Sequence, residues 1–349
     1  MNPRSPFAAL ALLTLAALFA CLAPRAADAQ TSTTEAGCRP AGDRGHAGFF
    51  RTDPWARGEL VLTFDDGPHP KHTPRVLDLL AEHRMQATFF VVGRAINRDT
   101  YHLVQRTVAE GHTLGSHSYS HDVKMTRLEA PELTVSFIRG QHEATSILVD
   151  LALLAESGDD FDALHRRVFE SDPKAWLSGS GIAKSWQSYV ARHRALLAER
   201  GYAGGERPYA ILYSRPPGGG PYVEHDGAAG SKLHDLALAE LGMLNVLWHG
   251  ASGDTVPEKR GDFAFLTSNM DKQAELGGVL LIHDYIRVDA LAHSLERIAK
   301  SASVRVVSLD RAVEQKYGCT PLALGEALRV AQATKAASSP ASSPSVPAL

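Results

Sequence analysis

Two carboxylates stand side by side at Asp65-Asp66, ahead of Gly67-Pro68, and two imidazoles stand four residues apart at His117 and His121. Carboxylate oxygens and imidazole nitrogens hold divalent metals, and the same groups are common general acids and bases. Neighbouring side chains on a strand point to opposite faces, so the paired carboxylates are expected to do different work, one on a metal and one on a proton. The spacing of His117-Ser118-Tyr119-Ser120-His121 predicts a helical turn with both rings on one face, gripping a single ion. One Asp and two His leave a coordination position for water, the layout of a catalytic site rather than a closed structural one. An ordinary Asp-Gly turn and two surface His are the plain alternatives for each motif taken alone.

The elements around these residues alternate. Glu59 to Phe64 reads as a buried strand that stops at the Asp pair. Thr73 to Glu82 has helical spacing, Ala87 to Gly93 is a second buried strand, Tyr101 to Glu110 a second helix, and His112 to Gly115 a short strand or turn. Later strands are expected at Pro208 to Tyr213, Leu244 to Trp248, Gly278 to Ile282 and Val304 to Leu309, with helices at Leu233 to Leu241, Asp289 to Ala299 and Leu309 to Tyr317. This β-α alternation implies an α/β fold with parallel strands. Polar residues recur just after the strand ends: Asp65, Arg215, His249 to Asp254, and His283. Barrel enzymes collect their active sites on that face.

Taken in order, the motifs resemble those of the NodB-like polysaccharide deacetylases, carbohydrate esterase family 4. Thr63-Phe64-Asp65-Asp66-Gly67-Pro68 looks like the first family motif and Gly115 to His121 the second. Arg215-Pro216-Pro217-Gly218-Gly219 is similar to the third, and Leu281-Ile282-His283 to the last. The resemblance spans about Leu60 to Leu309 and implies a distorted (β/α) barrel with one divalent ion, zinc in the first instance, with cobalt, nickel or manganese as alternatives. It implies Asp66, His117 and His121 as ligands, Asp65 as general base, His283 as general acid, Arg215 as the group orienting Asp65, and Gly218 as a backbone donor to the oxyanion. Pro217, Leu281 and His69 would line the substrate pocket.

Three features depart from the family pattern. The position after Pro217, usually aromatic, is Gly218. The fourth motif is reduced to Ala251-Ser252-Gly253-Asp254-Thr255, in which Asp254 would orient His283. Residues 133–203 contain amphipathic stretches and no strand pattern, a mainly helical insertion between the second and third motifs. Trp176, Trp186 and Tyr189 within it read as core rather than as sugar platforms.

Composition bounds the remainder. The 349 residues are 44% hydrophobic, enough for one large domain or two ordinary ones. Lys and Arg number 36 against 39 Asp and Glu, so no basic excess is present to neutralise a nucleic acid. Phe7 to Ala23 is apolar after Arg4, and Ala27-Asp28-Ala29 offers a cleavage site, so residues 1–29 read as a signal peptide. A lipoprotein site at Cys21 is the rival. Export leaves Cys38 and Cys319 as a possible disulfide. Residues 30–57 read as an N-terminal extension, 58–325 as the catalytic domain, and the Ala/Ser/Pro-rich 326–349 as a disordered tail.

The expected protein is therefore exported, has no membrane span once mature, and acts on an acetylated polysaccharide or oligosaccharide. N-deacetylation of an N-acetylglucosamine glycan such as peptidoglycan or chitin leads. An O-acetyl esterase on xylan or another glycan, and a catalytically silent glycan-binding envelope protein, are the alternatives.

Overall fold

A computed structural model describes residues 38, 47–126, 130–170, 182–223 and 227–338. The signal peptide, the lipoprotein alternative at Cys21 and Trp176 lie outside the described residues. In order, the chain forms β1 (Gly48–Phe49), β2 (Glu59–Asp65), α1 (Thr73–Glu82), β3 (Thr88–Val91), α2 (Tyr101–Ala109) and β4 (Thr113–Ser116). The helices α3 (Pro131–Leu154), α4 (Gly158–Val168) and α5 (Ile182–Glu199) follow, then β5 (Tyr213–Ser214), α6 (Gly227–Leu241), β6 (Leu244–Val246) and β7 (Gly250–Ala251). The chain continues through α7 (Phe263–Leu276), β8 (Gly278–His283), α8 (Val288–Lys300), β9 (Arg305–Val306), α9 (Leu309–Tyr317) and α10 (Pro321–Ser338).

Every ladder is parallel. The strands run in the order β1-β6-β5-β4-β3-β2-β8-β7, with β9 pairing with the start of β2. This order forces the sheet to curl. In a flat sheet β6 and β7 would lie about 29 Å apart, six strand spacings of roughly 4.8 Å. Only Leu247, Trp248 and His249 join them, a link that reaches about 15 Å at full extension. Leu247 N–H donates to Phe49 O beside β6, and His249 N–H donates to Val279 O of β8, so this link bridges the two sides of the curled sheet. The result is the expected distorted (β/α) barrel, with β1 and β7 at the ends of an open path.

Alternation along β2 sets what faces inward. Leu60, Leu62 and Phe64 join the larger core with α1 and α8, while Val61 joins a second cluster with Phe90, Tyr213, Val246 and Val279. Thr63 and Asp65 share the face of Val61, because the strand period is two. On β8, Val279 shares that second cluster whereas Leu280 and Ile282 lie in the larger one, which puts Leu281 and His283 on the inward face. Both faces of such a sheet are covered, so its strands are almost wholly apolar until their last residues. α8 buries Ala290, Leu291, Ser294, Leu295 and Ile298, the three-and-four spacing of a helix with one face on a core.

The sequence reading needs four corrections. His117 to His121 is a loop beyond β4 and not a helical turn. Ser118 and His121 have φ of 63° and 56°, which a right-handed helix excludes. Of the strand expected over Pro208 to Tyr213, only Tyr213-Ser214 pairs as strand. Upstream, Tyr209 Oη accepts the Leu114 N–H and Asp150 Oδ1 accepts the Tyr209 N–H, so side chains take bonds that a ladder would make. The expected tail is helical as far as Ser338: α10 is Ala- and Leu-rich, strong helix formers, and Arg329 Nη1 caps the carbonyl of Leu241 at the end of α6. Residues 339–349 lie outside the described residues. Finally, β1 falls within what reads as an N-terminal extension and pairs with β6. Cys38, also in that extension, forms a disulfide with Cys319 after α9.

Candidate active site

Parallel register brings the strand ends to one rim. Asp65 pairs with His283 on one side and Phe90 on the other, and Ser116 pairs with Ser214. His117 and Arg215 are the next residues of β4 and β5. Asp65, His117, Arg215 and His283 thus meet at the carboxyl ends of four strands.

Arg215 is fully buried, and Nε and Nη1 of its guanidinium, though not Nη2, have hydrogen-bond partners. Nη1 donates to Asp65 Oδ1 at 2.7 Å and to Thr63 Oγ1 at 2.8 Å, and Nε donates to Val246 O at 2.8 Å. Its guanidinium also lies 4.2 Å from the centre of the Phe90 ring. A buried cation needs such a set, because desolvation alone would cost several kcal/mol. Arg215 takes one oxygen of Asp65, and the other, Oδ2, faces His117 Nε2 at 3.7 Å.

Asp66 lies just beyond the strand with φ of 76°, outside strand geometry, so the two carboxylates do not face opposite ways as expected but both approach His117 Nε2. Asp66 Oδ1 lies 3.5 Å from His117 Nε2 and 3.1 Å from His121 Nε2, yet this buried oxygen has no donor in hydrogen-bonding geometry. His117 Nδ1 is 2.7 Å from Arg215 O, which fixes the proton on Nδ1 and leaves the Nε2 lone pair toward Asp66. One carboxylate oxygen and two imidazole nitrogens therefore converge, all within 4.8 Å of one another. This donor set fits a divalent ion of the zinc type. His117 is buried, whereas the His121 and Asp66 side chains are 31% and 24% exposed, so the point is reachable from solvent. Burial would raise the Asp66 pKa, but contact with His121 and the charges of His117, His121 and His283 outweigh it and bring it down to about 2. Burial lowers the pKa of His117 and favours its neutral, ligating form.

Across the site, Asp254 grips His283 twice. Oδ2 accepts the His283 backbone N–H at 2.8 Å, and Oδ1 lies 2.9 Å from Nδ1. Burial opposes protonation of His283, but this bond, the Asp254 charge and those of Asp65 and Asp66 raise its pKa to about 9. With Nδ1 committed to Asp254, Nε2 is the nitrogen free to deliver a proton.

Part of the chain matches known proteins. Residues 54–149 match the polysaccharide deacetylase family model. Over 134 residues the chain is 40% identical to a chitooligosaccharide deacetylase of Sinorhizobium fredii, covering 34% of this chain and 59% of the relative. Over 62 residues it is 47% identical to a peptidoglycan-N-acetylglucosamine deacetylase of Bacillus cereus, covering 18% of this chain and 29% of the relative. Over this segment the chain is similar to the polysaccharide deacetylases. Among solved structures, peptidoglycan deacetylase PdaC from Bacillus subtilis superposes with a TM-score of 0.45 at 21% identity, covering 81% of this chain and 98% of that one.

The departures from the family pattern now have a local setting. Gly218 sits in a tight turn after Arg215 with φ of 63°, a conformation in which a side chain is strained. Its neighbour across the turn is Val123, 3.5 Å from where a Cβ would lie. Pro217 is buried in the same turn, and Leu281 is 7% exposed on β8. His69 is not drawn into the Asp66 cluster: its Nδ1 accepts the Lys71 N–H, its own N–H goes to Thr73 Oγ1, and its ring packs on His72. Trp186 and Tyr189 are buried in the helical insertion.

Three residues escaped the sequence reading. Asp284 is 3% exposed and accepts from Thr73 Oγ1 at 2.7 Å, and burial pushes its pKa up to about 6. A Cβ at Gly67 would lie 3.2 Å from its carboxylate, which is why the Asp-Asp-Gly loop can pass so close. Tyr285 stacks on His283 at 5.1 Å between ring centres and is 41% exposed. Both directly follow the Leu-x-His block, and that adjacency was the available signal. Gln141, on α3, carries no local signal.

Proposed function

We propose that the chain is an exported, metal-dependent carbohydrate deacetylase that removes acetyl groups from the nitrogen of N-acetylglucosamine in a peptidoglycan or chitin-like glycan. The observation that carries this reading is the pair of opposed proton carriers, Asp65 clamped by Arg215 and His283 clamped by Asp254, flanking the convergent Asp66, His117 and His121. Those three residues would hold one divalent ion, zinc in the first instance and cobalt, nickel or manganese otherwise. When bound, such an ion supplies Lewis-acid activation of water and stabilisation of negative charge.

The chain's own residues do the rest. Asp65 Oδ2 accepts a proton from the water that adds to the acetyl carbon. Arg215 holds Asp65 in place through a charge-assisted bond. The N–H of Gly218 is assigned as a donor to the carbonyl oxygen as it gains charge. His283 Nε2 gives its proton to the sugar nitrogen as the C–N bond breaks, leaving acetate and an amine. Pro217, Leu281 and His69 are assigned to the acetyl and sugar pocket.

The Asp254 carboxylate on His283 Nδ1, which favours the protonated ring, suits an amide substrate. An amine leaves only once it has gained a proton, and a His held charged to about pH 9 suits that need. Export is supported by residues 1–29 and by the Cys38–Cys319 disulfide, a bond that persists in oxidising compartments. Among the described residues, no helix is long and apolar enough to cross a membrane.

The test is direct. Residues 30–349 are produced, bound metal is measured, and acetate release is assayed on chitooligosaccharides, peptidoglycan and acetylated xylan. Release from an N-acetylated glycan with one metal per chain supports the reading. Release from xylan alone replaces it with the esterase, and no release from any of them by metal-loaded protein replaces it with a silent glycan binder.

A further inference from the structure

Two ligating imidazoles on a loop raise a question that a helix would have answered by itself. A helix fixes the separation of residues four apart, and a loop does not. The loop from His117 to His121 also bends through two non-glycine residues in the left-handed region, Ser118 and His121. Such conformations cost free energy and persist only where the surroundings over-determine them.

One side chain supplies three of the bonds that hold this loop. Gln141 is wholly buried on α3, twenty residues beyond His121 in sequence. Its Oε1 accepts the N–H of Tyr119 at 2.9 Å and the N–H of Ser120 at 2.8 Å. Its Nε2 donates to Ser120 Oγ at 2.8 Å. Three bonds from a single amide therefore fall on the two residues just before His121. The opposite edge of the loop is held by Gly93 N–H to Ser118 O and Arg94 N–H to Tyr119 O, both at 3.0 Å. Next to Gln141, the fully buried His142 meets Ser116 Oγ at 2.8 Å and Ser214 Oγ at 3.3 Å, so α3 also anchors the strand ends that launch His117 and Arg215.

We propose that Gln141 is a positioning residue that sets the separation of His117 and His121 and so governs the affinity of the site for its metal. The inference rests on the reading of Asp66, His117 and His121 as ligands. Groups that orient ligands in this way typically change metal affinity by about 10- to 100-fold when removed. A role confined to filling the core would affect folding and leave affinity alone.

Zinc affinity of the full chain is measured by competition with a fluorescent chelator, alongside the melting temperature of the metal-free protein. Q141L removes all three bonds at similar volume and is expected to raise the zinc Kd by at least about tenfold. Q141E keeps the oxygen that accepts both backbone N–H groups and is expected to stay within about threefold of the parent chain. D150N serves as the control for general destabilisation. Asp150 is buried in the insertion against Arg207 Nε at 2.8 Å and His193 Nε2 at 3.1 Å, away from the ligands. It is expected to lower the melting temperature with an unchanged zinc Kd. A Q141L protein that melts lower but binds zinc within about twofold of the parent overturns the proposal. If Q141L does not fold, Q141M, which also lacks the donor and the acceptor but has a more adaptable chain, takes its place, and an unchanged zinc Kd in Q141M overturns it equally. Absence of zinc binding by the parent chain overturns the ligand assignment itself, a result distinguishable from the failure of Gln141 alone.

Discussion

The two sides of the site are built by different means. On one side Asp65 and His283 sit opposite each other in the β2–β8 ladder, so sheet register places them and each is then fixed by a buried ion pair, to Arg215 and to Asp254. On the other side His117 and His121 lie on a loop beyond β4, and their separation depends on a glutamine from a distant helix. The first side is rigid because the barrel is rigid. The second is as rigid as its anchors. The proton carriers, Asp66 and His117 are thus held at strand ends, and the Gln141 contact bears on the loop that carries His121.

Substitutions that separate the two sides test this contrast. The largest effect is expected on the strand side from Arg215→Met. It would leave Asp65 buried without its cation, costing about 3–5 kcal/mol of stability, readable by urea unfolding. Acetate release should fall with it, by about a hundredfold or more. Arg215→Lys should not restore it, because one ammonium cannot reproduce bonds to Asp65, Thr63 and Val246 O together.

A smaller effect is expected from Asp254→Asn, and pH resolves it. The pKa of His283 is held at about 9, so the proton it donates is present at neutral pH and lost above pH 9, and parent activity should fall along that limb. Without the Asp254 charge the limb moves to lower pH, with a loss on the order of tenfold at pH 8. Stability follows the same sign. A pKa raised in the folded state contributes stability that is fully present below about pH 6.5 and is lost as pH rises through about 9. An alkaline limb unmoved in Asp254→Asn would remove His283 from the role of acid. The smallest effect is expected from Gly218→Ala, about 1–2 kcal/mol, because φ of 63° disfavours any Cβ while Val123 at 3.5 Å leaves room for one. An Ala variant as stable as the parent would show that this turn relaxes.

The contrast also explains what the sequence made legible. Asp65, Asp66 and His283 end apolar runs, and a strand that stops at a polar group announces both the strand and the group. Arg215 follows the same logic. Asp254 was only half legible, since a polar turn with one carboxylate has many uses until His283 is seen in its grip. The His pair misled in conformation, because a spacing of four suits a helical turn and a loop alike, and only φ at Ser118 and His121 tells them apart. Gln141 was invisible for a related reason: its partners are backbone groups, which leave no trace in residue types. Two-residue strands such as β1 and β7 are too short to show a period. The Ala-rich stretch before Ser338 reads equally as helix or as low complexity until α6 is placed beside it.

The central claim is that Asp65 moves the proton while Asp66, His117 and His121 hold the metal. Asp65→Asn tests it in one comparison, with the variant and the parent each loaded with one equivalent of zinc and assayed for acetate release from a chitooligosaccharide. The account predicts zinc binding unchanged within about threefold and acetate release reduced by about 100- to 10,000-fold. Release at the parent rate with zinc bound would contradict it.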